Sequence, residues 1–134
     1  MRRYRWLMIA VCLSGFLGIG TAVVAAGGWS SGQLGQLSGG DCKGMASGDK
    51  SYCDTNDCKG IASKDKSYCE TADCKGVASG DKSYCASSLC KGWASKDKSY
   101  CETADCKGVA AGDKSYCTSA QCKAIASKDK SYCP

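Results

Sequence analysis

The stretch DCKGIASKDKSYCETA at residues 57–72 decides how this chain is organised, because residues 41–134 consist of six copies of it. The copies begin at residues 41, 57, 73, 89, 105 and 121, and the last copy ends two residues short. Each copy carries two cysteines at the same two positions, and the pentapeptide DKSYC is identical in all six. A fixed period of this kind is typical of a repeat array in which each unit mostly contacts its neighbours.

Residues 1–26 belong to a different physical class. Three arginines lie within the first five residues, and an uncharged apolar stretch follows that ends in small residues. This layout predicts a secretory signal peptide cleaved after Ala26 or one residue earlier, which would also remove Cys12. The alternative is an uncleaved membrane anchor, since about 20 apolar residues can cross a bilayer. We therefore expect a secreted, periplasmic or extracellular protein that contacts a membrane only if this segment is retained.

Residues 27–40 read GGWSSGQLGQLSGG and separate the apolar segment from the repeats. Glycine and serine dominate this stretch, which predicts a flexible linker and not a domain. Its three large apolar residues, Trp29, Leu34 and Leu37, could dock on the first repeat, but in a glycine-rich segment they are expected to be disordered.

The repeats have few residues with which to build a hydrophobic core. Each copy offers one variable apolar position, expected to be a core slot, and one tyrosine; the variable residues are Met45, Ile61, Val77, Trp93, Val109 and Ile125. Ordering sixteen residues costs on the order of 16 to 32 kcal/mol. Two buried side chains return only about 2 to 3 kcal/mol each, so the units need a further constraint.

Disulfides are the expected constraint, because an even number of cysteines in a small exported chain is typical of a disulfide framework. The candidates are Cys42, Cys53, Cys58, Cys69, Cys74, Cys85, Cys90, Cys101, Cys106, Cys117, Cys122 and Cys133. We predict pairing within each unit, as in Cys42 with Cys53, which would make every unit independent of the others. The alternatives are pairing across the four-residue spacer, which leaves Cys42 and Cys133 without neighbours, and longer pairing between consecutive repeats.

The fold class predicted from the repeat is a disulfide-rich, solenoid-like array of six 16-residue units made of short α-helical hairpins. Cys58, Ile61 and Ala62 follow a helical period, but a single helix would set the two cysteines of a unit about 16 Å apart. The chain must therefore turn near Ser63 to Asp65, where the aspartate can cap a second short helix. The aspartate before the first cysteine, as in Asp57, is expected to cap the first helix.

Two further regularities have open interpretations. A glycine two residues after the first cysteine, as in Gly60, either marks a close approach between neighbouring hairpins or only weakens the helix. Position eight alternates between glycine and lysine, so the sequence also repeats every 32 residues. Either two hairpins form one turn of a solenoid, or the array grew by copying a two-unit block.

Two features are candidates for recognition: the tyrosine of each DKSYC segment, and Trp93, which would be a contact site if exposed but is expected to fill the core slot. The six tyrosines could form a binding ladder for a protein or glycan partner, or each ring could pack against a disulfide as the main core residue of its unit. The ladder would comprise Tyr52, Tyr68, Tyr84, Tyr100, Tyr116 and Tyr132.

The composition argues against several classes of function. The chain has no histidine, and its Asp, Lys, Ser and Tyr recur in near-identical settings, so we expect no enzyme, no catalytic residue and no cofactor. Without the arginines, 15 lysines against 13 carboxylates leave a net charge of +2, which predicts no nucleic-acid partner.

Metal binding is the chemical alternative. Zinc and iron-sulfur sites usually show closer cysteine spacings than those found here, so we expect no metal site, and a thiolate metal-binding protein is the second hypothesis. The repeats thus predict an exported, disulfide-stapled protein that acts as a structural or binding module.

Overall fold

The computed structural model describes residues 29–134, and this part of the chain contains only helices, turns and irregular segments. No helix in this range is long and apolar enough to cross a membrane. The predicted signal peptide at residues 1–26, with Cys12, lies outside the described residues.

Each repeat forms one α-helix followed by a single turn of 3-10 helix. A short helix, α1 (Ser31–Leu34), precedes the repeats. The six α-helices of repeats 1 to 6 are α2 (Gly39–Ser47), α3 (Asn56–Ser63), α4 (Ala72–Ser79), α5 (Ser88–Ser95), α6 (Ala104–Ala111) and α7 (Ala120–Ser127). The 3-10 helices are Lys50–Tyr52, Lys66–Tyr68, Lys82–Tyr84, Lys98–Tyr100, Lys114–Tyr116 and Lys130–Tyr132. The prediction of a disulfide-rich array of short helical hairpins is confirmed.

Local side chains explain where these helices begin. The hydroxyl of Thr55 accepts a hydrogen bond from the backbone N–H of Cys58 and caps α3, and a serine or threonine does the same for the other repeats. Asp57 lies inside the first turn of α3, so the prediction that this aspartate caps the helix was wrong. The prediction for the second helix is confirmed, because the carboxylate of Asp65 accepts from the backbone N–H of Ser67.

The turn between the two helices is the same in all repeats. The residue after the α-helix of each repeat adopts a left-handed conformation, with φ of 65° to 72° where it is glycine and 56° to 58° where it is lysine. The 32-residue period in the sequence therefore has no counterpart in the backbone. Lysine at Lys64, Lys96 and Lys128 holds a conformation that only glycine adopts without cost.

The array closes on itself. Each α-helix packs against the helix of the next repeat, and α7 packs in the same way against α2. The ends of the repeats also meet, since a Cβ atom on Gly39 would lie 2.8 Å from the carbonyl oxygen of Pro134. The six repeats therefore form a ring, whereas the sequence predicted an array with two free ends.

The variable apolar side chains form the interior of this ring. Met45 of repeat 1 and Trp93 of repeat 4 both pack against a cluster that contains Val109 and Ile125 and against another that contains Ile61. Side chains from opposite sides of the ring thus share the same contacts. The expectation that this position is a core slot is confirmed.

The segment before the first repeat also belongs to the interior. Leu34 is 3 % exposed and packs against Val109 and Ile125, while Trp29 and Leu37 contact other core clusters. The expectation that these three residues are disordered was wrong, because the apolar interior of a closed ring gives them a surface to cover.

Candidate functional site

All twelve cysteines of residues 29–134 form disulfides, and every bridge joins two consecutive repeats. Five bridges cross the four-residue spacers, with Cα atoms 5.4 to 5.5 Å apart: Cys53–Cys58, Cys69–Cys74, Cys85–Cys90, Cys101–Cys106 and Cys117–Cys122. The sixth, Cys42–Cys133, joins the same two repeat positions across the seam between repeats 6 and 1. The predicted pairing within each unit was wrong. The spacer scheme left Cys42 and Cys133 unpaired only for an open array, and ring closure brings them together.

The glycine of each α-helix makes room for the bridge. A Cβ atom on Gly60 would lie 2.5 Å from Sγ of Cys69 and 3.0 Å from Sγ of Cys74. Both distances are below van der Waals contact, so a larger residue must displace a disulfide. Of the two interpretations of these glycines, close approach is the correct one, and the partner is the bridge. Repeat 6 has the buried Ala124 here, beside Cys42 and the seam.

A buried or half-buried carboxylate joins most consecutive repeats. Oδ1 of Asp41 accepts from the backbone N–H groups of Asp54 and Thr55 at 2.8 and 3.0 Å, and Oδ2 accepts from the Thr55 hydroxyl. The carboxylate of Asp41 therefore holds Thr55, the residue that caps the α-helix of the next repeat. Asp57, Asp73 and Asp105 make the equivalent contacts. We call these four residues the inter-repeat aspartates.

Asp105 shows how burial and hydrogen bonding act in opposite directions on the ionisation of such a carboxyl. Burial opposes ionisation of the Asp105 carboxyl, but hydrogen bonds from Ser119 and Thr118 outweigh it and lower its pKa. Sequence reasoning missed this role. The available signal was a Ser or Thr fourteen residues after each aspartate, which suits a contact with the next unit.

Repeats 4 and 6 lack this aspartate, and the N-terminal segment contacts both. Leu89 replaces it in repeat 4 and packs with Trp29, whose backbone N–H donates to Oδ2 of Asp73 at 2.6 Å. Gln121 replaces it in repeat 6, and its amide donates to the carbonyl oxygen of Gly35 at 2.9 Å. The departures from the repeat therefore coincide with the docking positions of residues 29–38.

Contacts between lysine and tyrosine also join each repeat to the next around the whole ring. Nζ of Lys50 lies 3.0 Å from the hydroxyl oxygen of Tyr68 and 4.8 Å from the centre of its ring, and each lysine of the DKSYC segments reaches the tyrosine of the next repeat. Lys130 of repeat 6 completes the circuit on Tyr52 at 2.8 Å. The hydrogen bond from Lys50 to Tyr68 raises the pKa of that lysine.

The tyrosine ladder is at the surface. The six rings are 36 to 42 % exposed, so the expectation that they are the main core residues was wrong. They do form a continuous series, but each ring already carries a lysine from the preceding repeat.

Within residues 29–134, four groups of side chains have the spacing of a metal site. In one of them, a carboxylate oxygen of Asp73 and the sulfur atoms of Cys85 and Cys90 lie within 4.8 Å of one another. These sulfur atoms are joined in a disulfide, whereas metal ligation needs thiolates. The carboxylate already accepts hydrogen bonds from Ala86 and Ser87. Metal binding here would require reduction of the bridge.

A cavity of about 300 Å³ lies beside the docked N-terminal segment. Its apolar wall consists of Trp29, Leu34, Leu37, Met45, Leu89 and Trp93. The two tryptophan rings contact each other at a tilt of 51°, with their centres 6.2 Å apart. The core slot predicted for Trp93 does not include this contact with Trp29, which comes from outside the repeats.

No family model matches this chain, no curated protein is significantly similar to it, and no solved structure matches it significantly.

Proposed function

We propose that this protein is exported and acts outside the cytoplasm as a covalently closed ring that serves as a structural or binding module. The observation that carries the proposal is the bridge Cys42–Cys133, which completes a set of six inter-repeat disulfides. Most of the bridged cysteines are buried and belong to the core clusters, so the fold depends on their oxidation. Disulfides of this kind persist in oxidising compartments.

The N-terminal sequence supports the same compartment. A basic start, an apolar stretch and small residues before Gly27 are the features of a secretory signal. Export would deliver the chain to a place where the bridges form, and removal of the signal would leave residues 29–38 free to dock inside the ring.

A binding role is supported by the cavity more than by the tyrosine ladder. The cavity has an apolar wall and lies where the repeats depart from their pattern, whereas the tyrosine faces are covered by lysines. A protein or glycan partner for the ladder stays a prediction.

Intact mass and thiol analysis of the full-length gene product tests the proposal. Protein recovered from outside the cytoplasm without reductant should lack residues 1–26 and contain no free thiol. Its mass should be lower than that of the same chain after reduction by two hydrogens for each of the six bridges. A matched chain without residues 1–26 should remain in the cytoplasm and be reduced. Twelve free thiols with bound metal in the native protein would contradict the proposal and favour the thiolate metal-binding alternative.

A further inference from the structure

We propose that the cavity beside Trp29 and Trp93 binds a compact organic cation with apolar substituents, of which a trimethylammonium compound is the simplest type. This inference deepens the proposed function, since it assigns a ligand class to the binding module.

The size and wall of the cavity suit a small ligand. A volume of about 300 Å³ is at the lower end of the range for small-molecule sites, and such sites are mostly apolar with a few polar groups. Trp29 and Trp93 are half-buried, so their rings have faces or edges left to contact. Tryptophan is the aromatic side chain that attracts a cation most strongly.

The charged groups at the cavity have one sign. Asp41, Asp57 and Glu70 line it, and no lysine or arginine is among its lining residues in the described chain. This is unusual in a protein whose repeats contain more lysines than carboxylates. Negatively charged carboxylates beside an apolar wall raise the local concentration of cations.

These carboxylates are already held in position. Asp41 and Asp57 are inter-repeat aspartates fixed by the next repeat, and Glu70 accepts a hydrogen bond from the side-chain amide of Asn56 at 2.7 Å. A cation would therefore meet a preorganised set of oxygens, which lowers the ordering cost of binding.

Residues that depart from the repeat pattern form part of the cavity wall. Trp93 and Leu89 are found in repeat 4 alone, and Trp29 comes from the segment before the repeats. Each of these three residues departs from the pattern, and all three meet at this wall.

Choline and its neutral isostere 3,3-dimethylbutan-1-ol are the probes for the test. Both are titrated at constant ionic strength into the oxidised protein that begins at residue 27. The N-methyl protons of choline, the tert-butyl protons of the isostere and the tryptophan indole signals are followed by NMR. We expect choline to bind with a dissociation constant of about 1 mM, with its methyl signals shifted upfield by the indole rings, and the isostere to bind about tenfold more weakly.

Three variants locate the site. Trp93→Val introduces the residue of repeats 3 and 5 and should weaken choline binding about tenfold. Glu70→Gln keeps an acceptor for Asn56 and should weaken it about threefold, with a smaller salt dependence. Glu102→Gln is the matched control, because Glu102 occupies the same repeat position outside the cavity lining and should change nothing.

The outcomes separate this inference from the proposed function. Equal affinity for choline and its isostere, equal effects of the two glutamate variants, or no binding to protein with six intact bridges would overturn the cation site while the exported ring stands. Reduced native protein in the cytoplasm would overturn the proposed function instead. Helix content and thiol count of each variant show whether the ring is still formed.

Discussion

Removal of the bridge Cys42–Cys133 should destabilise the protein more than removal of a bridge that crosses a spacer. The two changes to compare are the double substitutions Cys42→Ser with Cys133→Ser and Cys85→Ser with Cys90→Ser. Both remove one inter-repeat bridge between the same repeat positions, and each removes one fully buried cysteine. The main difference is the length of chain that the bridge closes.

That length sets the expected magnitude. The seam bridge joins residues 91 positions apart, and the spacer bridge joins residues five apart. The chain-entropy model gives about 4.5 kcal/mol for a loop of about 90 residues and about 2 kcal/mol for a loop of about six. The other bridges shorten the large loop to about 70 residues, which changes its value by only about 0.2 kcal/mol. The expected difference between the variants is therefore about 2.5 kcal/mol.

Urea unfolding followed by far-ultraviolet circular dichroism measures this difference, with the remaining bridges verified by thiol titration. The seam variant should have the lower free energy of unfolding. Equal losses in the two variants, or a larger loss in the spacer variant, would refute the reasoning, because it would mean that the seam bridge does not close the ring in solution.

Three further changes test other parts of the structure. Gly76→Ala should destabilise the ring by about 1 to 3 kcal/mol in thermal unfolding because its Cβ collides with a bridge, and a harmless Gly76→Ala variant would show that the bridge can move aside. Lys96→Gly should stabilise the ring by about 1 kcal/mol and Gly80→Lys should destabilise it by a similar amount, since both positions are left-handed; calorimetry in which both shifts have the opposite sign would contradict this. Hydrogen bonds lower the pKa of Asp105, so its stabilising contribution is present above the pKa of this carboxyl in the unfolded chain and is lost as pH falls through its pKa in the folded protein. Asp105→Asn should therefore reduce the loss of unfolding free energy on acidification. An unchanged dependence of unfolding free energy on pH would contradict this role of Asp105.

Much of the local structure follows from the repeat alone. The turn near Ser63, the second helix capped by Asp65 and the core position of Ile61 were all predicted correctly, because each depends on residues within one unit. The need for disulfides also followed from the shortage of apolar side chains, since that shortage can be counted from the sequence.

The contacts between units could not be predicted from a single repeat. An open row of six units has two ends, and in that arrangement Cys42 and Cys133 have no partners, which made pairing within the unit look more regular. Ring closure removes the ends and gives all six interfaces a bridge. The cavity was missed for a related reason, because Trp29 lies in a segment whose composition predicts disorder and becomes ordered only when it packs inside the ring.

The covalent connectivity of the ring affects how readily proteases can break it into fragments. Residues 42–133 and the seam bridge form one macrocycle, so a cut at any single peptide bond within it leaves two new termini on a molecule that is still one piece. A cut inside a spacer is held by the local bridge, and a cut inside a repeat is held by the path around the other side. At least two cuts are needed to release any fragment of the macrocycle. Such a molecule would be lost in the extracellular medium at a rate that depends on double cleavage, which is a form of redundancy that an open row of repeats cannot have.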